Sequence, residues 1–383
     1  MTLLNPNMDW PAAYLRASGG QRPYASASGL RMRRILAVII ATSLLGSGIE
    51  AQEVERTDHY INGEPGVTLF LREVRPVESR ERALPAILLL HGARVPSVPS
   101  FDLAVPGYSL AADLANAGFA VYLLDARGYG GSTRPSEMNE PPNAHPPLVR
   151  SNEVVRDIHA AVSWIQARHG AARIALLGWA TGGHWAGYYA SLFPDKVSHL
   201  VLYNTLYGGT DQHDRIGPGS GLEDSGIPGR FDLTYGSYRL STAGSLFGAW
   251  DASIPGDRKE SWRDARVADA YAEAALASDP TSYSRVPPSF RAPSGAMEDS
   301  FYLASGRRLW DASLITASTL VVRSGADFWS RPEDVAMLRA HLTHAATLRV
   351  VTLPNATHFA HLDRPERGRS RFIDEVVRFL SSS

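Results

Sequence analysis

Short apolar runs recur along the chain, and between them lie longer stretches whose apolar residues return at every third or fourth position. The runs at 86–90, 119–124 and 174–177 are unbroken, which predicts strands covered on both faces, as in a parallel sheet. Further strands are predicted at 197–203, 320–322 and 348–353. At 66–74, Val67, Leu69 and Leu71 fall on alternate positions, although Phe70 blurs the pattern, and the expectation is a half-buried antiparallel strand. Helices are predicted at 106–117, 184–192, 332–342 and 369–380. Another spans 151–169, where Val155, Ile158, Val162 and Ile165 share one face, Ser151 is the expected N-cap and Gly170 ends the helix. Repeated strand and helix units imply right-handed crossovers, hence an α/β fold with a mostly parallel, doubly wound sheet flanked by helices.

The alternation stops between 206 and 313, a segment rich in Gly, Pro, Tyr, Phe and Trp with one convincing helix at 262–277. A structureless loop of that length is unusual in a compact domain, so a folded insertion is expected. The chain then divides into an N-terminal extension (1–51), a first core segment (52–205), the insertion (206–313) and a second core segment (314–383). No internal repeat is present.

Composition narrows the picture. A net charge of −1 with both signs dispersed gives no electrostatic reason to expect a nucleic acid or an acidic membrane surface as partner. The absence of cysteine removes disulfides and thiolate chemistry together. Arg31-Met32-Arg33-Arg34, the apolar run 35–45 and the small residues that follow have the order of a secretory signal, too short to span a bilayer. Cleavage after Ala51 and a secreted or periplasmic mature protein without a membrane span are expected.

The chemistry centres on Gly178-Trp179-Ala180-Thr181-Gly182-Gly183. A buried strand, a glycine-flanked turn and a helix in that order form the frame of a nucleophile elbow, and side chains at Gly178 or Gly182 would collide across the turn. The apex holds Ala180, whose methyl group cannot attack. His358, in the loop after the last strand, is the candidate base, with His361 as the second choice. Asp327, after the strand that follows the insertion, is the candidate orienting carboxylate; as a simpler role it would cap the helix starting near Arg331. Asn204 occupies the other strand end where an acid could stand. The backbone N–H groups of Ala93 and Thr181 are candidate oxyanion donors, and His91 is expected to hold its loop. Arg94, Trp179, Tyr207 and Phe328 are candidate substrate contacts, Arg94 for an acidic group or else in a surface salt bridge. No metal-ligand pattern or phosphate-binding loop is found.

Together, His91-Gly92, Asp125-Ala126-Arg127-Gly128-Tyr129-Gly130, the elbow, Asp327 and His358 resemble the α/β-hydrolase fold superfamily, of the esterase and lipase type with a cap inserted between strands 6 and 7. The resemblance implies a triad in the order nucleophile, acid, base, a small-molecule ester as substrate and no cofactor. Its nucleophile would be Ser or Asp, so Ala180 departs from every hydrolytic version. The expectation is a carboxylic-ester hydrolase for a small to medium apolar or aromatic ester, walled by insertion aromatics such as Phe231, Tyr235, Tyr238, Phe247, Trp250 and Trp262. In it, retention of His358, Asp327 and the elbow glycines favours a serine replaced at position 180. A natural ligand-binding member lacking catalysis, or cofactor-free oxygenase or lyase chemistry on the His-Asp pair, remain the other readings.

Overall fold

The computed structural model describes residues 53–79 and 83–382; the expected signal segment and its cleavage point lie outside the described residues. Strands β1 (Val54–Asn62), β2 (Thr68–Pro76), β3 (Ala86–Leu90), β4 (Ala120–Leu124), β5 (Ile174–Trp179) and β6 (Val197–Tyr203) precede the insertion. The insertion carries β7 (Tyr238–Thr242) and β8 (Ser289–Pro293), and β9 (Ser318–Ala326) and β10 (Leu348–Thr357) follow it. Eight strands form one sheet in the order β1-β2-β4-β3-β5-β6-β9-β10. The first two pairings are antiparallel and the rest parallel, so the parallel sheet expected from the apolar runs is present.

Successive residues of β3 serve opposite faces, as strand geometry requires. Leu88 and Leu90 join the apolar layer under helices α3 (Ser151–His169) and α4 (Thr181–Leu192). Ile87 and Leu89 join the layer under α2 (Leu110–Asn116) and α9 (Arg369–Leu380). All four side chains are at most 2% exposed, and burying each stabilises the fold by about 1.5–3 kcal/mol. A short helix α1 (Ser97–Phe101) follows β3, and α8 (Pro332–His341) lies between β9 and β10.

The sequence reading missed β1, an edge strand whose Glu55, Arg56, Thr57 and Asp58 leave it without an apolar signature. It also underestimated the insertion, which holds three helices, α5 (Ala243–Ser253), α6 (Ala265–Ala277) and α7 (Gly295–Ala304), beside the β7–β8 hairpin. Gly244 and Gly248 weaken the helical signal of α5, which gains its stability from tertiary packing. There Trp250 stacks on Phe359 at 4.7 Å. Ser151 is the first residue of α3 rather than its cap; its hydroxyl donates to Asp299. Among the described residues no helix is long and apolar enough to cross a membrane.

Candidate active site

Parallel strands send their C-terminal loops to one edge of the sheet, and four of those loops meet there. They follow β3, β5, β9 and β10, and they bring Gly92 to Val95, Ala180, Phe328 and His358 around a cavity of about 180 Å³. Arg239 on β7, Leu246 and Ala249 on α5, Tyr271 on α6 and Met297 on α7 close it from the insertion side.

At the turn between β5 and α4, Ala180 has φ 53° and ψ −116°. Non-glycine residues seldom hold this conformation, and it costs about 1–3 kcal/mol. The flanking glycines make it possible. A Cβ on Gly178 would lie 2.1 Å from the carbonyl oxygen of Gly182, and one on Gly182 would lie 2.1 Å from that of Leu90. The amide of Ala180 donates to the Tyr203 carbonyl at 2.8 Å, which ties the apex to the neighbouring strand.

His358 Nδ1 and Asp327 Oδ1 are 2.6 Å apart in a contact that is almost fully buried. Asp327 also accepts from the amides of Trp329 at 2.9 Å and Ser330 at 3.0 Å, so its carboxylate is fixed by its own turn. The alternative role, capping the helix that starts near Arg331, falls to Asp334, which accepts from the Arg331 amide. His358 is held from behind. Its carbonyl oxygen accepts from Trp179 Nε1 at 3.0 Å, Tyr203 OH at 3.1 Å and Asn204 Nδ2 at 3.2 Å. With Nδ1 as donor to Asp327, the neutral imidazole carries its lone pair on Nε2, where a general base needs it.

His361 is not the base. Its ring is packed against Phe101, Trp179 and Tyr203, and it is fully buried. Burial, with Arg369 and His358 nearby, holds it well below the ordinary histidine range, and it stays neutral. His91 braces its loop as expected, with Nδ1 on the Gly92 carbonyl at 2.7 Å and Nε2 accepting from the Ala126 amide at 3.3 Å. Asn204 does not touch the imidazole; it joins β6 to β9 through Ser324 and supports the His358 backbone.

Ala93, Arg94, Trp179, Thr181 and Phe328 all line the cavity. Tyr207 does not. Its hydroxyl accepts from the Ala312 amide at 2.9 Å and its ring packs on Trp310 at 4.5 Å, a buried structural position that replaces the substrate contact expected for it. The six insertion aromatics expected as a wall are likewise outside the lining, which Leu246, Ala249, Tyr271 and Met297 provide instead. Among the described residues Arg94 forms no salt bridge; it reaches Ser241 Oγ, Ser245 Oγ and the Ser245 carbonyl. Arg239 and Trp329 were missed: nothing in the local pattern shows that Arg239 of the insertion reaches the cavity, or that Trp329 in the loop after β9 does.

A second Ser-His-Asp group joins α3, α4 and α7 through Ser151, His184 and Asp299. Ser151 Oγ is 2.5 Å from Asp299 and 2.8 Å from His184 Nε2. Here the polarity is reversed: Trp310 Nε1 donates to His184 Nδ1, so Nε2 carries the proton and the serine donates to the aspartate. A histidine that already donates to the hydroxyl cannot deprotonate it, and the network is structural.

A profile described as the alpha/beta hydrolase fold matches residues 85–365. No curated protein matches the sequence. Among solved structures, E-2-(acetamidomethylene)succinate hydrolase superposes with a TM-score of 0.54 at 18% identity, covering 86% of this chain and 100% of that one. A hydrolase from Pseudomonas aeruginosa PA01 gives 0.53 at 18% identity, covering 85% and 99%. The esterase EaEST from Exiguobacterium antarcticum gives 0.52 at 15%, covering 85% and 100%.

Proposed function

The chain belongs to the α/β-hydrolase fold family, and from that premise we propose that its site is that of a serine-type carboxylic-ester hydrolase from which the nucleophilic hydroxyl is missing. The observation that carries this reading is the His358–Asp327 hydrogen bond, whose imidazole lines the same cavity as the elbow apex. With serine at position 180, Oγ attacks the ester carbonyl while His358 Nε2 takes its proton. The N–H groups of Thr181, at the unpaired start of α4, and Ala93 stabilise the oxyanion. The alcohol leaves with the proton from His358, and water repeats the sequence on the acyl-enzyme. Residues 206–313 act as the cap. With Ala180 in place no acyl-enzyme forms, and the chain holds its ligand without turning it over by this route.

The test is hydrolysis of a short p-nitrophenyl ester by the unmodified chain and by Ala180→Ser. Removing the serine of such a triad lowers kcat by about 10⁶-fold, so Ala180→Ser is expected to raise the rate by several orders of magnitude, and His358→Ala added to it to abolish the gain. An inert Ala180→Ser variant that still binds ester ligands would instead support a non-catalytic receptor.

A further inference from the structure

The most deeply buried arginines of this fold have carboxylate partners: Arg127 pairs with Asp157, Arg291 with Asp279 and Arg369 with Asp113. Two cavity-lining arginines do not. Arg94 bonds only neutral groups of Ser241 and Ser245, and Arg239 donates through Nη2 to the Ala93 carbonyl at 3.0 Å. Neither forms an ion pair among the described residues. They are also neighbours, because Arg239 and Ser241, the residue that Arg94 grips, project from the same side of β7. Burial first, then the Arg239 charge, pulls Arg94 down to about 10, and no carboxylate opposes them.

Three residues of the lining, Arg239, Trp329 and Thr181, also carry a buried polar atom, Nε, Nε1 and Oγ1 respectively, with no hydrogen-bond partner among the described residues. Leaving such a group unpaired costs about 1–3 kcal/mol, and native proteins keep few of them. The first two can only donate and the third can donate. With two guanidinium groups and no carboxylate among its described lining residues, the wall suits a ligand that brings acceptors and negative charge.

We propose that Arg94 and Arg239 form an anion subsite beside the elbow, and that the substrate is a small ester bearing a free carboxylate, such as the monoester of a short dicarboxylic acid. The carboxylate part stands on the arginines alone; the ester part rests on the esterase reading. Guanidinium groups suit a carboxylate through paired N–H donors. A cavity of about 180 Å³ is below the range of drug-sized sites and limits the ligand to a short chain.

Binding is measured on the unmodified protein, by calorimetry with monomethyl glutarate and with dimethyl glutarate. The monoester is expected to bind about 10- to 100-fold more tightly, as charge-assisted hydrogen bonds warrant. Arg239→Gln and Arg94→Gln should each remove most of that preference, and Arg239→Lys should restore part of it. In parallel, Ala180→Ser is assayed on the p-nitrophenyl monoester of glutaric acid and on p-nitrophenyl valerate, its neutral counterpart. Preferred turnover of the acidic ester that depends on both arginines supports subsite and esterase together. Equal turnover of both esters with equal binding overturns the subsite and leaves the esterase standing. No turnover, with arginine-dependent binding of the monoester, upholds the subsite and removes the esterase. Tighter binding of the monoester that survives both arginine substitutions also overturns the subsite. Equal binding of the two esters by the unmodified chain overturns the subsite without any variant, and where a glutamine variant does not fold, Arg239→Lys and Arg94→Lys carry the arginine test.

Discussion

Gly178→Ala tests the geometry on which the whole site depends. The added methyl would lie 2.1 Å from the Gly182 oxygen, 2.3 Å from its carbonyl carbon and 2.5 Å from the Gly183 nitrogen, where real contacts stay beyond 3.0 Å. All three are backbone atoms, so no rotamer change relieves the overlap and the β5–α4 junction must open. Overpacking of this kind costs about 1–3 kcal/mol. Opening also endangers the Ala180 amide bond to Tyr203 and the Gly183 amide bond to Ala180, at 2.8 and 3.0 Å, each contributing about 1 kcal/mol. The sum is about 3–5 kcal/mol. Gly170→Ala is the control: Gly170 ends α3 at φ 60° with no atom within 4 Å of the new methyl, so only left-handed strain of about 1–2 kcal/mol applies. Urea unfolding followed by tryptophan fluorescence gives both values. Gly178 does not have a positive φ, so without the close approach its replacement by alanine would stabilise the chain by about 0.4–1 kcal/mol through the unfolded state. A midpoint for Gly178→Ala at or above that of the unmodified protein would refute the tight elbow, and with it the placement of residue 180.

Three further outcomes follow from buried polar groups. His184 is fully buried and its pKa falls from 6.5 to about 4, so the fold holds it neutral while the unfolded chain protonates; its stabilisation is complete above pH 6.5 and lost as pH drops toward 4, by about 3 kcal/mol. The stability difference between the unmodified chain and His184→Gln, measured by urea unfolding across pH 4–7, should shrink by that amount toward the acid end. Asp157→Ala removes the partner that Arg127, 7% exposed, bonds through its amide, Nε and Nη2, and leaves the guanidinium to Glu64 at 2.8 Å, so a loss of about 1–3 kcal/mol is expected in the same assay. Tyr207→Phe removes the acceptor for the Ala312 amide and should cost about 1 kcal/mol of stability while leaving ligand affinity measured by calorimetry unchanged, since Tyr207 is outside the cavity lining.

The sequence carried the sheet well because a doubly covered strand must be apolar throughout, as Ala86 to Leu90 are. The meeting of Asp327 and His358 was also legible, since chain order and strand ends bring the loops that carry them together. The insertion was not. Its contribution to the cavity is set by tertiary approach, so Arg239 and Met297 line the site while the more conspicuous Trp250 packs beneath it against Asp363 and Phe359. Likewise, nothing local separates His358 from His361. The choice is made by Phe101, Trp179 and Tyr203 closing around the second ring, residues from three distant parts of the chain.

In the sequence, retention of the elbow glycines, Asp327 and His358 favours a serine replaced at position 180. The structure gives these residues a second reason to persist. Gly178 and Gly182 are demanded by the approach of α4 to β5 and β3, whatever residue sits at the apex. Asp327 organises the turn through Ser330, and the His358 carbonyl gathers three donors that brace the cavity from behind. None of these bonds involves position 180, so loss of a hydroxyl there leaves the rest of the frame undisturbed. The groups without a structural reason are more telling. Arg94 and Arg239 lie close enough for the charge of one to lower the pKa of the other, and the cavity lining they share holds no carboxylate among the described residues. With serine or with alanine at the apex, the arginines give the cavity a ligand to hold, and the dyad gives that ligand a base.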